Sequence, residues 1–190
     1  MIDDLTLPVL WAVTLMDAIA GVYGDEAAGA LAGAVPLDDH ATHISLDAFV
    51  DMQQGVVHIA GMAKAPALLE EAGEACFTHL RQQPGIRMPR GRALLARSDP
   101  RSPALAYFAD YIDSLIGQAI VLEETETAWN WIISPYPLMS QPIRGFYERG
   151  MVRALTAEVM SGEPLPVRIA GRLGGTAALL LRIEKVVPTV

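Results

Sequence analysis

Residues 119–134 read Ala-Ile-Val-Leu-Glu-Glu-Thr-Glu-Thr-Ala-Trp-Asn-Trp-Ile-Ile-Ser. The reading of this stretch decides the fold class. In its second half Thr127, Trp129, Trp131 and Ile133 alternate with Ala128, Asn130, Ile132 and Ser134. That is the period of a strand with one face buried. The first half is apolar, and the polar run from Glu123 to Glu126 separates the two. The expectation is a pair of antiparallel strands joined by a short turn, with both tryptophans on one face.

Toward the C-terminus, Pro135, Pro137 and Pro142 frame a loop. Ile143, Phe146, Tyr147, Gly150, Met151, Ala154 and Leu155 then recur at helical spacing, up to Ser161-Gly162. Two β-rich runs follow at 167–173 and 177–185, with Gly174-Gly175 between them as a hairpin signal. The second run, apolar from Ala177 to Ile183, is expected at a sheet edge, where an unpaired backbone invites a second copy. A homodimer is therefore expected.

Toward the N-terminus the period becomes helical. Residues 5–35 are rich in Ala, Leu and Met, and Gly21 and Gly24 are expected to divide them into two helices. Ser45 reads as an N-cap with Asp47 in the first turn, followed by Leu46, Phe49, Val50, Gln53, Val57 and Ala60 at helical spacing. Pro66 suits the first turn of the next helix, on which Leu69, Ala72, Cys76 and Leu80 share a face. A further helix at 104–116 carries Leu105, Phe108, Ile112 and Leu115. Between these two helices lies an irregular basic connector with Arg81, Arg87, Arg90, Arg92, Arg97 and Arg101 against the single acid Asp99.

The whole is an α+β chain: N-terminal helices packed on one face of a twisted antiparallel sheet, with a β-β-α-β-β C-terminal half. Residues 1–44 are read as a helical extension and 45–190 as the main domain, forming one compact unit.

Composition narrows the function classes. With 190 residues, 52% of them hydrophobic and 19% charged, the chain can bury a large core. A formal net charge of -8 argues against nucleic acid as a partner. One cysteine, Cys76, excludes an internal disulfide and a cysteine-rich zinc site. The start, Met1-Ile2-Asp3-Asp4, lacks the basic run of a signal peptide, and no apolar stretch approaches the roughly 20 residues of a spanning helix. The expectation is a cytoplasmic protein, with an apolar content compatible with peripheral membrane association.

No phosphate-binding glycine loop, dinucleotide fingerprint or nucleophile elbow is present. No catalytic residue and no flavin or nicotinamide motif is assigned, so any reductant would have to come from elsewhere. His40 and His43 among Asp38 and Asp39 read as a polar loop rather than a metal site. His58 and His79 lie within apolar helices, where either could reach an axial position on a buried macrocycle. The strongest candidates for binding are aromatic: Trp129, Trp131, Tyr136, Phe146 and Tyr147 gather where a strand faces a helix, and such a surface can stack on a flat ligand. Arg144 or the basic connector would meet a carboxylate on the same ligand.

Several runs resemble the 4-vinyl reductase domain of bacteriochlorophyll biosynthesis. They are Tyr136-Pro137-Leu138-Met139, Gly145-Phe146-Tyr147-Glu148-Arg149-Gly150, Val167-Arg168-Ile169-Ala170-Gly171 and Leu179-Leu180-Leu181-Arg182-Ile183. Leu69-Glu70-Glu71-Ala72-Gly73 is similar to that family's L-x-x-A-G helix. The resemblance implies the ligand-enclosing fold shared with TRAPP vesicle-tethering subunits and haem nitric-oxide-binding domains. It also implies a tetrapyrrole guest of chlorophyllide type, held by an accessory or carrier protein with no intrinsic cofactor and an enzyme of pigment synthesis as partner. Some members are aromatic-ligand sensors with a cysteine-based zinc site, which this sequence lacks because Pro137 is not preceded by Cys. A dimerising scaffold and a small-molecule sensor are the alternatives.

Overall fold

A computed structural model describes residues 5–33, 41–82, 102–116, 118–136, 141–159, 163–172 and 177–185. The basic connector from residue 83 on, His40, residues 137–140 and the glycine pair at 174–175 lie outside these. Two strands and three helices come first: β1 (Thr6–Pro8), α1 (Val9–Tyr23), α2 (Asp25–Gly33), β2 (His43–Ser45) and α3 (Leu46–Ala60). They are followed by α4 (Ala65–Gln82), α5 (Ser102–Ile116), β3 (Ala119–Glu124), β4 (Ala128–Ser134), α6 (Phe146–Val159), β5 (Val167–Arg172) and β6 (Leu179–Glu184).

Local chemistry sets the boundaries. α1 stops at Gly24, whose φ of 86° is open to glycine and costly for other residues. Gly21, also expected at this break, lies inside α1. α3 starts where the Ala48 N–H donates to Ser45 Oγ at 3.1 Å, an N-cap on the expected residue. It ends at Gly61, φ 73°. Thr125 closes the β3–β4 turn: its Oγ1 accepts from the Ala128 N–H and donates to the Ala128 carbonyl.

The main sheet has the order β3-β4-β6-β5, all neighbours antiparallel. In β4 Trp129, Trp131 and Ile133 are buried while Asn130, Ile132 and Ser134 are partly open. In β6 Leu179, Leu181 and Ile183 do the same. The helices thus cover one face of an α+β fold, as the alternation predicts. The register places Trp129 opposite Ile183 and Trp131 opposite Leu181. The 177–183 run is not an edge, however. β6 pairs with β4 on one side and β5 on the other, so the edges are β3 and β5. Inserting this strand between two neighbours satisfies both rows of its backbone groups, and the dimerisation argument built on it has no edge to rest on.

The core runs through the whole molecule. Trp11, Leu15 and Ile19 of α1 belong to the same cluster as Leu69, Phe108, Trp131, Leu155 and Leu181. The expected boundary at 44/45 falls inside β2, which pairs with β1 (Leu7↔Ile44). α4 and α6 cross at two glycines. A Cβ on Gly73 would overlap the Tyr147 carbonyl, and one on Gly150 would overlap the Glu70 carbonyl. Around this crossing Glu70 holds Arg149 and Arg153, the latter at 2.9 Å. No helix among the described residues is long and apolar enough to cross a membrane.

Candidate functional site

Between the helical layer and the sheet lies a cavity of about 20 Å³, room for roughly one water. Its roof is α5, through Phe108, Ile112 and Ile116. Its floor is Ile120 of β3 with Trp131 and Ile133 of β4. α6 contributes Glu148, Met151 and Val152, α1 contributes Trp11, and Gln118 sits at the α5–β3 junction. Phe108 approaches Trp131 with ring centroids 6.2 Å apart.

Besides Gln118, whose Nε2 donates to the Pro135 carbonyl, two polar groups stand on this otherwise apolar wall. Glu148 is 7% exposed. One carboxyl oxygen accepts a hydrogen bond from Tyr136 Oη at 2.8 Å, and Tyr136 Oη accepts the Gly145 N–H at 2.9 Å. Burial pushes the Glu148 carboxyl up to about 7; its own backbone N–H and the Tyr136 hydroxyl offset only part of that. Burial and the adjoining Glu148 carboxyl hold the Tyr136 phenol well above its ordinary value. The second group is the Trp11 indole N–H, buried and without a hydrogen-bond partner.

A second aromatic cluster adjoins the first through Trp11. Trp11 stacks on Tyr147 (5.3 Å between centroids), and Phe49 meets both edge-on. Tyr147 Oη lies 2.9 Å from Thr14 Oγ1. Cys76 also reaches this hydroxyl pair, and burial lifts its thiol to about 12, so it behaves as a small hydrophobe. One turn along α3 from Phe49, Gln53 is buried with neither end of its amide partnered.

The residues expected to form one binding face are distributed. Trp131 lines the cavity, and Tyr136 fixes the carboxyl beside it. Trp129 is fully buried outside the lining, under the Lys185 ammonium at 4.7 Å. Tyr147 belongs to the Trp11–Phe49 cluster. Phe146 is half-buried beneath the Arg149 guanidinium at 4.8 Å. Arg144 is half-buried, and its Nε has no partner. His58 and His79 are exposed on α3 and α4 and do not line the cavity, because each falls on the solvent side of its amphipathic helix.

Trp11, Glu148, Gln53 and Thr14 were not singled out from the sequence. Glu148 had a readable signal: it precedes Met151, Val152 and Leu155 by three, four and seven residues, an acid on an apolar stripe.

The layers and the strand order define an α+β fold with helices on one face of an antiparallel sheet, and solved structures similar to it include H-NOX domains. A Tt H-NOX variant matches with a TM-score of 0.61 at 13% identity, covering 97% of this chain and 97% of that one. An Fe(II) unliganded H-NOX protein from K. algicida gives 0.60 at 12%, covering 97% and 100%. An oxygen-binding H-NOX domain related to soluble guanylate cyclases, solved as its oxygen complex, gives 0.55 at 12%, covering 90% and 91%. No protein-family model and no curated protein sequence matches the chain.

Haem, named for some of these neighbours, does not fit the described residues. His43, His58 and His79 are all exposed, and among the described residues neither a histidine nor Cys76 lines the cavity. At about 20 Å³ the cavity as it stands admits neither haem nor any other macrocycle. Among the described residues no cluster of His, Cys, Asp and Glu could hold a metal ion.

Proposed function

We propose that this chain is a non-catalytic ligand-binding domain whose guest enters between α5 and the wall formed by β3, β4 and α6. One observation carries the reading: a buried carboxyl and an unpartnered indole N–H stand together on one small aromatic cavity. An interior built for packing alone would be more stable with hydrocarbon at both places, since a buried polar group left unpaired costs about 1–3 kcal/mol. The oxygen complex of an H-NOX neighbour is a parallel for a guest held inside this fold.

The narrower reading is a chlorin-type tetrapyrrole, held by an accessory or carrier protein of (bacterio)chlorophyll synthesis. The resemblance to the 4-vinyl reductase domain supports it, as do the aromatic walls at Trp11, Phe108 and Trp131. The exposed histidines favour a ring that needs no axial imidazole, hence a chlorin over haem. A macrocycle requires α5 to swing outward and exchange the Phe108–Trp131 contact for contact with the guest.

The test is a parallel titration with pyropheophorbide a and with haemin. The expected result is a saturable, sharpened and red-shifted chlorin spectrum, with no imidazole-ligated haem spectrum. An unchanged chlorin spectrum at high protein excess sinks the pigment reading. A stable oligomer whose Tm no ligand moves would favour a scaffold.

A further inference from the structure

We infer that the cavity recognises its guest through a neutral carbonyl oxygen, which accepts hydrogen bonds from the Glu148 carboxyl and the Trp11 indole N–H. This rests on the ligand-binding reading above and names the chemistry that the guest must present.

The donor count leads there. Tyr136 Oη takes the Gly145 N–H and spends its own proton on one oxygen of Glu148. Because the Tyr136 proton is directed at the carboxyl, a neutral Glu148 keeps its own proton to donate to a guest. Trp11 can only donate, and its N–H is buried without an acceptor. A guest with a ring ketone supplies the acceptor that both lack.

An ionic guest finds no counterpart among the described residues of this wall. α5 presents Phe108, Ile112 and Ile116 to the cavity, and the strands present Ile120, Trp131 and Ile133. No lysine, arginine or second carboxylate is among the described lining residues. The titratable groups facing Glu148 are Tyr136, its hydrogen-bond partner, and Tyr147, the residue before it on α6. Both phenols lie well above their ordinary values, so neither ionises near neutrality. A charge placed on this wall would be desolvated and unpaired. With the Glu148 carboxyl lifted to about 7, the donor form is present in mild acid and is lost in mild base.

The experiment compares pyropheophorbide a, whose ring carries a ketone, with its deoxo analogue, in which that ketone is a methylene. Both keep the same propionate, so its contribution cancels. The ketone is expected to bind at least about tenfold tighter at about pH 6, and its advantage should shrink by about the worth of one hydrogen bond at about pH 8.5, where only the Trp11 N–H still donates. In Glu148→Gln the side-chain amide donates at either pH, so the preference should persist at both. If that variant does not fold, Trp11→Phe should shrink the preference at about pH 6. Equal binding of the two chlorins in acid overturns the inference and leaves the pigment-binding reading standing, with water satisfying the two donors. If neither chlorin binds at either pH, the proposed function fails and takes this inference with it.

Discussion

Gly150 of α6 lies so close to the Glu70 carbonyl of α4 that a methyl group on Gly150 would overlap it. Gly73 stands in the reciprocal position against the Tyr147 carbonyl. Two glycines that look like helix weaknesses in the sequence are therefore the points at which two backbones touch. Alanine has the better helix propensity by about 1 kcal/mol, but forcing volume into a packed contact costs about 1–3 kcal/mol, sometimes more. Because the obstacle is backbone, the steric cost should win. Gly73→Ala and Gly150→Ala are each expected to lower the urea midpoint. Gly21→Ala, at an exposed position of α1 with nothing within 4 Å of the added methyl, should raise stability by about 0.5–1 kcal/mol. A stabilised Gly150→Ala would contradict the close crossing.

The buried Glu148 predicts a pH dependence with a definite sign. Its carboxyl rises from an ordinary 4.5 to about 7 on folding, so the folded state holds this proton more tightly than the unfolded one. Its contribution is fully present below about pH 4.5, falls as the pH rises toward 7, and is constant above that. The fall is at most about 3 kcal/mol. Other carboxylates titrate in the same range, so the informative quantity is wild type minus Glu148→Gln, by urea denaturation at about pH 5 and about pH 8. The variant should become relatively more stable at the higher pH; a difference that does not change with pH refutes a raised carboxyl.

Tyr136→Phe tests the hydroxyl that joins the Gly145 N–H to Glu148. Removing it leaves a buried N–H without an acceptor and a carboxyl without its donor. The expected cost is about 1–3 kcal/mol in thermal or urea unfolding, with the Glu148 titration moving to higher pH because the hydroxyl favours the ionised form. An unaltered titration would mean that the two groups are not hydrogen-bonded in solution.

Gln53 offers a test of opposite sign. Its amide is buried with donor and acceptor both unpaired, so an apolar residue of similar shape should relieve the desolvation cost. Gln53→Met is expected to stabilise the protein by about 1 kcal/mol. A destabilised variant would show that an ordered water or a polar guest occupies the space beside the amide.

Much of the architecture was legible in the sequence because it depends on near neighbours. The alternation through Trp129 and Trp131, the Ser45 cap and the order β-β-α-β-β appear where they were expected. The aromatic site was legible only in part. Trp131 lines the cavity and Tyr136 bonds Glu148 beside it, yet Trp129 is covered by Lys185 and Tyr147 packs against Trp11. Side chains on one strand face, or one turn apart on a helix, are fixed only to a side of an element; what faces them comes from elsewhere in the chain. His58 and His79 show the same limit, since helical spacing alone did not reveal that both lie on the solvent side.

The chain's own pattern of apolar periods, caps and turn residues determined which segments become helices or strands and which face of each is buried, because those preferences act within a few residues. Only the tertiary structure decided that β6 lies between β4 and β5, that Gly73 and Gly150 touch backbones, and that Trp11 and Glu148 share a cavity wall. These are contacts between residues up to about 140 positions apart, and they arise from packing whole elements against one another, where shape and burial outweigh local preference.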